Sequence, residues 1–175
     1  MLKSIIKKPA FILVALGSVV FLLIVVMLSL QNFGVETTYN SEEHGYTIKF
    51  NSNDITYETI LLDGKNRIYM DRFLAVKNRE CYISVTSIGK DTNLEETLEN
   101  FQSDGSYSFT IDEQGIYGAG NYPARAISYE DKAGKETLQV TYYYDEAHGI
   151  FVTVCTDEKN RKLLSEVLKA LTIKE

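Results

Sequence analysis

The sequence contains no tryptophan, two prolines, two cysteines and two histidines among its 175 residues. It also contains no H-E-x-x-H motif, no G-x-S-x-G motif and no phosphate-binding glycine loop. With roughly 140 residues outside its apolar N-terminal run, the chain can bury a core without a disulfide or a metal ion. We therefore expect no catalytic residue, no metal site and no cofactor, and a chain that is not an enzyme.

Basic residues are absent between Lys90 and Arg125. Seven acidic residues occupy this stretch, namely Asp91, Glu95, Glu96, Glu99, Asp104, Asp112 and Glu113. Such a run is typical of a solvated helix face with acids near its N-terminus, and an anionic patch for a basic partner or Ca²⁺ is the alternative. Beyond residue 31 the chain carries 24 acidic and 15 basic residues, a net charge of −9. Because this charge repels phosphate backbones, we expect no nucleic-acid partner.

Residues 10–30 form a run of 21 residues without a charge. As a helix this run is about 31 Å long, which matches the hydrocarbon core of a membrane. Three lysines, Lys3, Lys7 and Lys8, precede the run, and the next base is Lys49. A cleaved signal peptide is the alternative, although its apolar core is usually about 7–15 residues long.

The positive-inside rule then gives the topology of the chain. It predicts a single-pass cell-membrane protein with its N-terminus in the cytoplasm. The predicted parts are a basic tail (1–9), a transmembrane helix (10–30), a linker (31–45) and an extracytoplasmic domain (46–175). One predicted partner is therefore the membrane, bound through residues 10–30.

Period-two alternation of apolar and polar residues dominates the chain from Tyr46 onward. It predicts strands near residues 46–50, 57–62, 68–76, 81–88, 107–112, 123–130, 136–144 and 150–155. The turn Asp63-Gly64-Lys65-Asn66 predicts a hairpin. Ala147-His148-Gly149 predicts a second hairpin turn, between the last two predicted strands.

Two segments have a helical period instead. Leu94, Leu98 and Phe101 follow i, i+4, i+7 spacing after a capping box formed by Thr92 and Glu95. A second helix is predicted to begin near Asp157. Its apolar stripe consists of Leu163, Leu164, Val167, Leu168 and Leu171. Many hairpins and only two helices predict an α+β fold in which helices cover an antiparallel sheet.

Three stretches resemble the PsbP-like family of α/β/α sandwiches, named for an extrinsic photosystem II protein. They are Gly45–Ser52 (GYTIKFNS), Tyr117–Tyr129 (YGAGNYPARAISY) and Thr141–Val154 (TYYYDEAHGIFVTV). The resemblance covers about residues 46–173. It implies a fold and a binding or accessory role, without a specific ligand, because members of the family share no single active site.

The cysteines and histidines are the strongest candidates for chemistry. The strand ending at Cys155, with Arg161 six residues later, resembles that of sortases, which need a thiolate, a histidine and an arginine. His148 is predicted to lie at the far end of this strand, roughly 20 Å away, and His44 lies in the predicted linker. Buried cysteines that act as small hydrophobic residues are the simpler interpretation, and a disulfide between Cys81 and Cys155 stays open.

The sequence predicts a non-enzymatic, membrane-anchored binding or accessory module with a protein or cell-envelope partner. A sortase-like transpeptidase and an accessory subunit of a membrane complex are the alternatives. Tyr122, Tyr129 and Tyr143 are candidates for a binding surface because tyrosine combines apolar area with a polar tip. Their preference for strands is the simpler explanation.

Overall fold

A computed structural model describes residues 34–64, 68–87, 108–133 and 136–174 of the chain. Of these residues, 68% are in strands and 8% are in a helix. The compact unit begins at Glu36. Its strands and helix form a β-fold with two sheets.

The elements in chain order are β1 (Glu36–Ser41), β2 (Tyr46–Asn51), β3 (Ile55–Asp63), β4 (Ile68–Ala75), β5 (Asn78–Ser87), β6 (Phe109–Tyr117), β7 (Tyr122–Ala133), β8 (Glu136–Asp145), β9 (Ile150–Thr156), α1 (Arg161–Lys169) and β10 (Thr172–Ile173). Runs of β-branched and aromatic residues explain the longest strands, because such side chains pack well on a pleated surface. The sequences VTYYY in β8 and IFVTV in β9 are examples.

Seven strands form the large sheet, in the order β3-β4-β5-β9-β8-β7-β6, with every neighbouring pair antiparallel. Strands β3–β5 and strands β6–β9 are two sets of successive antiparallel strands. They meet where β5 pairs with β9, with Val85 opposite Val152. This central pair is buried, whereas β3 and β6 are the outer strands of the large sheet in the described part of the chain.

Three strands form the small sheet, in the order β1-β2-β10. It packs on one face of the large sheet through aromatic rings. Phe73 of β4 lies with its ring centroid 5.6 Å from that of Phe50 and 5.3 Å from that of Tyr39. We call this the inner face of the large sheet. A hydrogen bond holds β10 next to the start of β7, because the backbone amide of Ile173 donates to the Tyr122 hydroxyl at 3.0 Å.

The helix α1 also packs on the inner face, against β2, β5 and β9. Leu164 and Leu171 are fully buried, and Val167 is 4% exposed. Leu163 and Leu168, which belong to the same predicted stripe, are only partly buried. The helix begins at Arg161, later than the predicted start near Asp157.

The prediction of an α+β fold, with helices covering a sheet as in a PsbP-like α/β/α sandwich, is wrong, because strands dominate the described residues and form two antiparallel sheets. The polar segment predicted to be a linker contributes β1, because Tyr39 and its neighbours pair in register with β2 from Glu36↔Asn51 to Ser41↔Tyr46. A small sheet therefore covers most of the face that was assigned to helices. The predicted helix at residues 92–104 lies outside the described residues.

The predictions of a transmembrane helix and of a single-pass cell-membrane location are not supported. Among the residues that the structure describes, no helix has both the length and the apolar composition needed to cross a membrane. The predicted span, residues 10–30, lies outside the described residues.

We predict that Leu164→Ala lowers the free energy of unfolding by about 2–5 kcal/mol, because it leaves a cavity among fully buried neighbours. Leu168→Ala is the matched control and should cost less, because Leu168 is only partly buried. Urea unfolding of both variants measures the difference. Equal losses would contradict the placement of Leu164 toward the sheet.

Candidate functional site

Cys81 and Cys155 lie on neighbouring strands but on opposite faces of the large sheet. Cys155 pairs with Tyr82, the residue after Cys81. Because successive side chains of a strand point to opposite faces, the two thiols are directed away from each other. Both cysteines are free and buried, so this arrangement does not accommodate the disulfide that the sequence left open.

The structure does not bring together the residues of the sortase-like alternative. The turn that holds His148 precedes Ile150, at the opposite end of β9 from Cys155, which is roughly 17 Å over five residues at 3.3 Å each. Arg161 is the first residue of α1. Burial, followed by the nearby Cys81, Asp131 and Glu80, raises the pKa of Cys155 to about 11, so its thiol stays protonated at neutral pH.

Asp71 on β4 is the centre of a hydrogen-bonded cluster on the inner face. It is 2% exposed. Its carboxylate accepts hydrogen bonds from the hydroxyls of Tyr39 at 2.9 Å, Tyr46 at 2.8 Å and Thr59 at 2.7 Å. Burial and then the charge of Asp71 raise the pKa of Tyr46 far above its usual value, which keeps this hydroxyl a donor. The three donors come from β1, β2 and β3.

His44 lies beside this carboxylate, with Nε2 3.9 Å from Oδ2 of Asp71. Its ring is stacked on Tyr46, with the centroids 6.3 Å apart. The imidazole is buried, and its Nδ1 has no hydrogen-bond partner among the described residues. His44 is thus a component of the inter-sheet layer, although the sequence placed it in a linker.

A second buried carboxylate, Asp145, lies three strands away in the large sheet, about 14 Å at 4.8 Å per strand. It is 1% exposed. It accepts hydrogen bonds from the Tyr117 hydroxyl at 2.9 Å and is 2.7 Å from Nδ1 of His148. Burial and the charge of Asp145 raise the pKa of Tyr117 well above its usual value. His148 also packs edge-on against Tyr122.

The two histidine turns share a sequence pattern. Ser41-Glu42-Glu43-His44-Gly45 joins β1 to β2, and Asp145-Glu146-Ala147-His148-Gly149 joins β8 to β9. In each turn the histidine amide donates to the first side chain, at 3.4 Å to Ser41 and 3.0 Å to Asp145. Each glycine has a φ of +65°, a conformation that favours glycine. The repeated Glu-x-His-Gly string is the sequence signal from which the similarity of the two turns could have been predicted.

Within the part of the chain that the structure describes, neither histidine side chain is hydrogen-bonded to a serine, threonine or cysteine side chain. Ser41, His44 and Asp71 have the residue types of a catalytic triad, but the Ser41 hydroxyl accepts from the His44 backbone, and all three residues are buried. In a catalytic triad, the serine hydroxyl is hydrogen-bonded to the imidazole and is accessible to the substrate. The hydrogen bonds of both clusters instead stabilise turns and the packing between sheets.

The tyrosines that were candidates for a binding surface instead make contacts within the fold. The Tyr122 hydroxyl holds β10, Tyr129 and Tyr142 lie with their hydroxyl oxygens 3.1 Å apart, and Tyr143 packs on Tyr117. Of the predicted acidic run, only Asp112 and Glu113 lie within the described residues. Glu113 forms an ion pair with Arg125 at 2.7 Å.

The outer edge of β3 is the best candidate for a functional site. Tyr57 and Leu61 are each 51% exposed, and Leu62 is 52% exposed. An outer strand presents backbone N–H and C=O groups that another strand can pair with. Thr59 on this strand donates to Asp71, so the edge is fastened to the Asp71 cluster. We call residues 57–62 the β3 edge.

The other outer strand, β6, has features that discourage strand pairing. Its register with β7 is interrupted between Asp112 and Gly115, and Asp112 and Glu113 are exposed there. Bulges and charges are the usual protection of a sheet edge. Through residue 61 the β3 edge pairs regularly with β4, and its one acid, Glu58, is paired with Arg72 and Arg79.

Comparison with protein-family models finds no match to the chain. Comparison with curated proteins likewise finds no match.

A polar cluster at the start of α1 is built around the buried carboxylate of Asp157. Asp157 accepts hydrogen bonds from the Asn160 amide at 2.7 Å and from the Asn78 side chain at 3.0 Å, and its own amide donates to Cys81. Burial acts to raise the pKa of Asp157, but the hydrogen bonds from Asn160 and Asn78 outweigh it and hold the pKa below 3.8. The ionised form therefore stabilises the fold.

We predict that Asp157→Asn lowers the free energy of unfolding by about 1–3 kcal/mol at pH 7. A lowered folded-state pKa gives stability that is present above the unfolded-state pKa and is lost as the pH falls through the folded-state value. The gap between wild type and variant in urea unfolding should thus narrow from pH 7 to pH 3. Glu158→Gln, at an exposed neighbour, is the control with little effect. A gap that does not change with pH would contradict this account.

Proposed function

We propose that this chain is a non-enzymatic binding module that engages an extended protein segment along the β3 edge. The observation that carries the proposal is the exposure of Tyr57, Leu61 and Leu62 on an outer strand that lacks proline and unpaired charge near its centre. An extended segment that pairs there would gain backbone hydrogen bonds, and the exposed side chains would supply selectivity.

The separation of the reactive side chains supports a non-enzymatic function. Cys155 has a raised pKa and lies far from His148 along β9, and both histidines lie against buried carboxylates. A cysteine nucleophile needs an adjacent base or a lowered pKa. The described residues therefore favour the binding module over the transpeptidase alternative.

Rigidity of the β3 edge also supports binding. Thr59 lies directly opposite Asp71 in the β3–β4 register, and the Tyr57 ring lies 4.8 Å from that of Tyr39 on β1. β3 is thus held by its pairing with β4 within the large sheet and by its contact with the small sheet on the inner face. A preformed edge loses little conformational entropy on binding, which favours affinity.

We predict that Leu61→Lys reduces capture of the binding partner by the full-length chain by at least about tenfold, because an edge lysine opposes strand addition. Ile116→Lys is the matched control. Ile116 is a similarly exposed aliphatic residue, 59% exposed, on the other outer strand. Quantitative co-purification of wild type and both variants, each with an unchanged melting temperature, measures the effect.

An equal loss of partner with both variants would contradict the assignment to the β3 edge. Retention of the partner by Leu61→Lys would contradict it as well, because this residue is one of the exposed apolar residues of the β3 edge.

A further inference from the structure

The sequence of the β3 edge is complementary to itself in antiparallel pairing. If Thr59 lies opposite Thr59 of a second strand, Tyr57 falls opposite Leu61, and Glu58 falls opposite Ile60. Tyr57, Thr59 and Leu61 share one face, because they lie opposite Phe73, Asp71 and Tyr69 of β4. Tyr57 of each copy would then pack against Leu61 of the other copy, so the symmetric pair would contain this contact between half-exposed side chains twice.

We propose that the partner of the β3 edge is a second copy of this chain, paired β3 to β3 with Thr59 on the two-fold axis. This inference rests on the proposed function and names the partner for the same edge. A two-fold pair is self-complementary, so one patch serves on both copies. The two large sheets would join into one continuous sheet of fourteen strands, because each contributes seven.

Charge does not oppose this pairing, although the whole chain has a net charge of −6. The carboxylate of Glu58 lies 3.2 Å from Arg72 and 3.5 Å from Arg79 of its own chain. In the proposed register, Glu58 faces the uncharged Ile60 of the second copy. Like charges directly opposite each other destabilise a strand pair, and this register contains none between residues 57 and 61.

Aromatic–aliphatic pairs directly opposite each other stabilise antiparallel strands, and their Cβ atoms lie about 4.5–5.5 Å apart. The proposed register contains two such pairs, each between Tyr57 of one copy and Leu61 of the other. Shifting the register by one residue would place Tyr57 opposite Ile60 or Leu62, which point to the other face of their own strand. The pairing about Thr59 is therefore the one that places Tyr57 and Leu61, which share a face, against each other.

The test uses cysteine cross-linking between two differently tagged forms of the full-length chain. Tyr57→Cys mixed with Leu61→Cys should link rapidly under oxidation or with a short bis-maleimide, because these positions face each other across the two-fold axis. Leu61→Cys alone should link at least about tenfold more slowly, since the two copies of position 61 would lie roughly 13 Å apart. The native cysteines are buried with pKa values of about 11, so wild type gives the background.

Sedimentation equilibrium of the same preparations, in the buffer or mild detergent that keeps the full chain dispersed, is the second measurement. Wild type and Ile116→Lys should form dimers with equal affinity, and Leu61→Lys should raise the dimer dissociation constant by at least about tenfold. A monomeric wild type, or a dimer that Leu61→Lys leaves unchanged, would overturn the proposal. Linkage of the mixed pair no faster than of Leu61→Cys alone would overturn it too.

These outcomes separate the two proposals. A monomeric wild type whose captured partner is lost through Leu61→Lys would overturn self-pairing and leave the binding function standing. A chain that neither dimerises nor loses a partner through Leu61→Lys would overturn both.

Discussion

The buried carboxylate of Asp71 is the interaction on which the arrangement of the two sheets depends. It lies on β4 and accepts hydroxyl hydrogen bonds from β1, β2 and β3 at 2.7–2.9 Å. A carboxylate offers about four acceptor positions, and the three hydroxyl donors use most of them. A buried charge is costly unless such partners surround it. The cluster thus fixes which strand of the small sheet lies over which strand of the large sheet.

The position of the β3 edge follows from this cluster. Thr59 on β3 and Tyr39 on β1 share Oδ1 of Asp71, so the outer strand of the large sheet and the outer strand of the small sheet are fastened to one point. Tyr57 and Leu61 flank Thr59 on the same strand and stay half exposed. The same buried acid that joins the sheets therefore presents a firm, apolar strand edge, which is the basis of the proposed binding function.

Local patterns in the sequence predicted most strands but not the layers that they build. Alternation in 136–144 placed β8 within a residue of its observed bounds, because a half-buried strand must alternate. The segment ETTYNS was interpreted as linker, because its strand conformation depends on pairing with β2 and on the hydrogen bond from Tyr39 to Asp71, which lies 32 positions further along the chain. Spacing correctly placed Leu164 in the helix core, whereas Leu171 is buried just beyond the end of the helix at Lys169. The face that the helix shares with the small sheet depended on this distant pairing.

The candidate site was less predictable than the strands. The cysteines and histidines attracted attention by residue type, yet their geometry is set by strand register, which puts Cys81 and Cys155 on opposite faces and His148 at the far end of β9. The β3 edge is an edge only because of strand order, and strand order is a long-range property. The repeated Glu-x-His-Gly turn, in contrast, was present in the sequence as a local signal.

Native-state hydrogen exchange of Asp71→Asn compared with wild type tests the central role of the carboxylate most directly. Replacing the carboxylate weakens three buried hydroxyl bonds, each worth about 1–3 kcal/mol when a partner is left unsatisfied. Amides of β1 and β2 should then lose protection by at least about tenfold, and amides at the centre of β8 and β9 should lose less, because local openings follow local contacts. Unchanged protection in β1 and β2, or an equal loss in all strands, would contradict the account.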